Sequence, residues 1–65
     1  MKHQPELTCF RYVPYVVGPK YRWECRFAYE DRAYANSIAL EKANERLRAG
    51  NIVLKKGCKI IQCQL

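Results

Sequence analysis

Residues 20–29 read KYRWECRFAY, and the fold turns on how their side chains alternate. Tyr21, Trp23, Cys25, Phe27 and Tyr29 take every second position, with Arg22, Glu24 and Arg26 between them. Successive side chains of an extended strand point to opposite faces, so the rings and the thiol share one side while two arginines flank one glutamate on the other. The first side predicts a core and the second an outward surface.

Upstream, LTCFRYVPYVV at residues 7–17 is rich in β-branched and aromatic residues, and Gly18 with Pro19 marks a turn. A hairpin with these two in its loop sets Val17 opposite Lys20, Tyr12 opposite Cys25 and Phe10 opposite Phe27. Phe10, Tyr12 and Val16 then join Tyr21, Trp23, Cys25 and Phe27 on one face, whereas a slip of one residue would put Arg11 among the rings. Pro14 has no N–H to give to a ladder, which predicts a first strand that lies at an edge or is interrupted there.

Downstream the period changes. Leu40, Ala43 and Leu47 recur at helical spacing, Ala33, Asn36 and Ile38 extend the stripe backwards, and Glu41, Lys42, Glu45, Arg46 and Arg48 form the polar side. A helix is expected from about Ile38 to Ala49, closed by Gly50 in the left-handed conformation with Asn51 following. Two starts remain open. Asp31 caps a longer helix, or Tyr29 to Arg32 turn into a short third strand at residues 33–36 with Asn36 or Ser37 as the cap. Beyond the helix, NIVL and CKIIQCQL are β-prone runs separated by KKG, which reads as a second hairpin with Gly57 in its turn. The expected architecture is α+β: one small domain over residues 7–65, an antiparallel sheet in β-β-α-β-β order with one helix packed on one face, after a flexible lead-in at residues 1–6.

A chain of 65 residues has room for one domain and a thin stability margin, so its eight aromatics carry weight. No apolar run approaches the roughly 20 residues of a spanning helix, and MKHQPELT lacks the apolar stretch of an export signal. The expectation is a soluble, cytoplasmic protein without a membrane partner, its four cysteines reduced. Intervals of fifteen, thirty-two and four residues between cysteines do not match the tight knuckles of zinc sites, and His3 stands alone near the N-terminus, so neither metal nor cofactor is expected. One unsupported histidine, six scattered acids and no glycine-rich phosphate loop argue against an enzyme.

The net charge of +6 is uneven. Residues 1–45 hold seven Lys and Arg against all six acids, whereas residues 46–65 hold Arg46, Arg48, Lys55, Lys56 and Lys59 with no acid. A line of cations suits a polyanion, because each one near a phosphate releases counterions. Arg11, Lys20, Arg22 and Arg26 add a second array if one sheet face is open, and Tyr15 on that face would offer a base a surface to stack on. Local explanations compete: Arg46 and Arg48 complement a helix dipole, and Lys55, Lys56 and Lys59 guard an edge strand against aggregation.

Two non-catalytic functions follow. One is direct contact with nucleic acid or a nucleoprotein through Arg11, Lys20, Arg22, Arg26, Arg46, Arg48, Lys55, Lys56 and Lys59. The other is a protein that inhibits or adapts a larger host complex, with Tyr15 and Tyr34 as interface anchors. A tiny, basic, aromatic-rich chain resembles in style many accessory proteins of bacteriophages and mobile elements. GPKYRWECRF followed by SIALEKANERL resembles the arm-type DNA-binding domain of phage integrases, in which a small antiparallel sheet precedes a helix and enters the groove. That likeness covers less than half the chain, the extra C-terminal hairpin departs from it, and it transfers no residue role. Exposed strand edges also leave room for a homodimer.

Overall fold

The chain folds as β1 (Phe10–Val17), β2 (Arg22–Glu24), α1 (Arg32–Arg48) and β3 (Lys55–Gln62) in a computed structural model that describes residues 9–63. The strands form one antiparallel sheet in the order β2-β1-β3, an α+β arrangement. The lead-in expected at residues 1–6, His3 and the start of the strand expected at Leu7 lie outside the described residues.

The second hairpin does not form, and this corrects the β-β-α-β-β order. Residues 51–54 are irregular, and KKG is the beginning of β3 instead of a turn. Gly57 sits inside the strand, directly opposite Tyr15. An isolated glycine within a strand marks close approach of another group, and here Tyr15 lies across it: a Cβ on Gly57 would be 3.4 Å from Tyr15 Oη and 3.7 Å from Cζ. β3 is therefore free to pair with β1 along its whole length, from Val17–Lys55 to Phe10–Gln62.

That pairing has a covalent sequel. Its register carries Cys9 opposite Cys63, the Cys63 N–H donates to the Cys9 carbonyl at 2.9 Å, and the two thiols are joined in a disulfide with a Cα–Cα distance of 5.2 Å. The expectation of four reduced cysteines is thus corrected; Cys25 and Cys58 alone are free thiols. Sequence spacing hid the pair because its members come from opposite ends of the chain.

Pro14 produces an interruption, but on the neighbouring strand. β1 is the central strand and runs unbroken, with the Pro14 carbonyl accepting from the Cys25 N–H at 2.9 Å. Lacking an N–H to return, Pro14 leaves the ladder one bond short, and β2 ends at Glu24. Residues 26–28 bulge out before Tyr29 re-pairs with Tyr12 through backbone bonds of 2.7 and 2.9 Å. Phe27 is carried into that bulge and is 66% exposed, contrary to the inward face expected for it.

The β1–β2 loop is longer than Gly18–Pro19. Val17 faces Arg22, not Lys20, so the register moves by two and the residues of β1 and β2 keep their faces. Gly18 closes the loop through its N–H to the Tyr21 carbonyl at 2.9 Å, and a Cβ there would overlap the Tyr21 ring and lie 2.6 Å from the Ile52 carbonyl oxygen.

Helix α1 begins six residues earlier than the minimal expectation, because Asp31 is the cap: its carboxylate accepts from the Ala33 N–H at 3.0 Å. The third-strand alternative at residues 33–36 is thereby excluded. The helix ends as expected, with Gly50 at φ 87°. Its buried stripe is Ala35, Ala39 and Ala43, while Leu40 and Leu47 are about half exposed. Three alanines one turn apart let the helix backbone settle close to Val16 on β1, which is fully buried.

The core is accordingly built from Val13, Val16 and these alanines, with Pro14, and the rings stand at its margin. Tyr21 and Trp23 flank the helix, capped by Arg46 at 4.9 Å and Lys42 at 5.1 Å from the ring centroids. A half-buried Trp23 carries less than an enclosed one. Trp23→Ala is expected to cost about 2 kcal/mol, below the 3–5 kcal/mol of a fully enclosed ring, read as a shift in thermal unfolding.

Candidate nucleic-acid interface

Strand pairing decides which side chains share the face that α1 leaves uncovered. Asn36 of the helix accepts from the Cys58 thiol at 2.9 Å, so Cys58 and its cross-strand partner Pro14 point to the helix. Alternation then puts Arg11, Val13, Tyr15 and Val17 of β1, Arg22 and Glu24 of β2, and Lys55, Gly57, Lys59 and Ile61 of β3 on the open face.

These residues form rows across the sheet. Val17 lies opposite both Arg22 and Lys55, so one row reads Arg22, Val17, Lys55. The next reads Glu24, Tyr15, Gly57. Lys59, beside Val13, reaches over the central strand and binds Glu24 at 2.9 Å. Val13, the cross-strand partner of Lys59, is only 8% exposed although it lies on the uncovered face. Lys59 and Glu24 are both solvated, so the bridge itself contributes no more than about 1 kcal/mol. Between it and the Arg22–Val17–Lys55 row lies a depression of about 360 Å³ with Tyr15 and Val17 in its floor.

The sequence-selected cations divide into groups. Arg22 and Lys55 share the open face and, among the described residues, make no ion pair. Lys59 shares that face but is engaged with Glu24. Arg11 lies further along the same face, bound to Glu30 at 3.2 Å and to the Phe10 carbonyl at 3.2 Å. Lys56 faces the helix side of the sheet. Arg46 is stacked on Tyr21 with its Nε buried and without a hydrogen-bond partner, a packing role. Arg48 is exposed in the last helical turn, Lys20 is exposed in the β1–β2 loop, and Arg26 is exposed in the bulge after β2. Tyr15 is half-buried on the open face, whereas Tyr34 is exposed on the helix and meets Tyr29 edge to face at 5.1 Å, so the two anchors do not form one patch.

The loop carrying Lys20, the Arg22–Lys55 row and the helix C-terminus lie at one end of the domain, since Leu54 N–H reaches the Val17 carbonyl and Asn51 N–H the Arg46 carbonyl. Arg46, Arg48, Lys20, Arg22, Lys55 and Lys56 make that end positive, while at the other end Arg11 and Arg32 offset Glu30 and Asp31. On the helix side, Lys42 donates to Glu45 at 2.9 Å and holds its carboxyl below the usual range. Burial pushes the Cys58 thiol up, which leaves it protonated and a weak nucleophile. Sequence reading passed over Lys42 and Glu24 as site builders; the i,i+3 spacing of Lys42 and Glu45 was a visible signal for the first, while the Glu24–Lys59 bridge depends on β3 pairing.

Fold and face together define a small α+β domain with an open, cationic sheet surface, and none of its described helices is long and apolar enough to cross a membrane. No protein-family model, curated protein or solved structure matches the chain, so the likeness to integrase arm domains rests on the strand-then-helix pattern.

Proposed function

We propose that the protein is a non-catalytic binding protein that contacts nucleic acid, or a nucleoprotein, through the open sheet face at its positive pole. The observation that carries this reading is the row Arg22, Val17, Lys55, two unpaired cations among the described residues, set beside an aromatic floor. Each such cation near a phosphate contributes a counterion-release gain that is lost as salt rises. Cytoplasmic action belongs to the same proposal, and it requires the Cys9–Cys63 bond to persist against a reducing thiol pool.

Titration of a mixed-sequence duplex and a single strand tests it. Affinity should fall steeply with salt, and Lys55→Glu should weaken binding about tenfold and lower the salt slope by about 1. Lys56→Glu, on the opposite face, should change it little. Equal effects of the two substitutions would detach binding from the open face.

The second reading, a phage or mobile-element protein that docks on and inhibits or adapts a host complex, is favoured by the exposed Phe27, Tyr34, Ile52 and Leu54. A partner retained from nuclease-treated lysate supports it. The free edge of β3 also leaves room for a second copy to pair along it, and its sedimentation at low salt reads whether it does.

A further inference from the structure

The depression on the open face has two unlike walls, and they give a bound nucleotide a direction. One wall is the Glu24–Lys59 bridge, whose carboxylate disfavours a phosphate and accepts from an amino group. The other is the Arg22–Lys55 row, about 7 Å further along β1, where the two cations stand on the outer strands β2 and β3, roughly 10 Å apart across Val17. Between them Tyr15 lies down over Gly57 instead of standing up from the sheet, with its Oη 3.4 Å and its Cε2 3.8 Å from the position of a Gly57 Cβ. The ring leans over the glycine, and the side turned away from Gly57 lines the depression.

We infer that this depression is a subsite for one unstacked nucleotide of a single strand, with the base laid on Tyr15 towards Glu24 and the phosphate held by Arg22 and Lys55. The inference rests on the nucleic-acid reading above and narrows it. A volume near 360 Å³ falls in the lower range of small-ligand sites, roughly 300 to 1,000 Å³. A duplex keeps its bases stacked and offers a recumbent ring nothing to stack on, whereas every base of a single strand has a free π-face. A duplex would therefore use only the cations.

Fluorescence anisotropy with a short, unstructured single-stranded DNA of mixed sequence and with the matching duplex, both at low salt, tests the subsite. The single strand should bind more tightly. Tyr15→Leu, which keeps an apolar cover on Gly57, should weaken single-strand binding about tenfold and leave duplex binding unchanged, and Tyr15→Phe should restore it. Circular dichroism melting of each variant identifies any loss that comes from unfolding; a Tyr15→Leu protein that melts early is replaced in the comparison by Tyr15→Met. If the duplex binds as well as the single strand, or if Tyr15→Leu weakens neither while Lys55→Glu weakens both, the subsite is refuted and the charge-based reading stands. If the wild-type protein binds neither probe, both fall.

Discussion

Reduction of Cys9–Cys63, or the substitution Cys63→Ser, is expected to remove most of the stability of this domain. The bond closes a loop of 54 residues, nearly all of the described chain. Chain-entropy arguments assign such a loop about 4 kcal/mol, and a single core in a domain this small supplies only about 3–5 kcal/mol. The melting temperature should fall by about 20 °C, since each kcal/mol moves a domain of this size by about 4–8 °C. Thermal denaturation with and without a strong reductant measures the difference. A shift of only a few degrees would mean that the β1–β3 ladder holds the ends together unaided.

Ala39→Leu should have the next largest effect. Ala39 is 1% exposed, at the middle of the Ala35, Ala39, Ala43 stripe where the helix rests on the sheet. A longer side chain at this enclosed position is expected to overpack the seam, lifting the helix and uncovering Val16, at a cost of about 3 kcal/mol. Leu40→Ala, one position along and half exposed, should cost about 0.5 kcal/mol or less. Chemical denaturation of the two variants compares them, and a more damaging Leu40→Ala would place the leucine stripe inside after all.

That contrast also marks how far the sequence could be read. Helical periodicity was visible, but leucines dominated it, and the buried stripe consisted of residues whose small size made them weak signals and good close-packing surfaces. The period of two in residues 20–29 put Trp23 on one face and Arg22 and Glu24 on the other, the hairpin put Val16 with Trp23, and the pairing agrees on these faces. The error lay in extent: Pro14 on the neighbouring strand cut β2 to Arg22–Glu24, a cause not local to the alternating stretch.

The candidate interface was legible in the same uneven way. Tyr15, Arg22, Lys55 and Lys59 belong to one face, and alternation alone places the first two there. Lys55 joins them only because β3 pairs with β1, which a turn at Gly57 would have prevented. Arg46 looked like part of a cationic line, yet its guanidinium lies on Tyr21, a contact between residues far apart in sequence. Local spacing carries direction of side chains well and partnership between distant segments poorly.

The clasp between Cys9 and Cys63 joins antiparallel strands at the end of the sheet farthest from Arg22 and Lys55. Mechanical tension applied across those two residues would pass through their sulfur atoms and leave helix and sheet unloaded. Oxidised, the domain should behave under an optical trap as an inextensible bead. Reduced, the same pull should peel β3 away one pair at a time, beginning with Gln62 and Phe10.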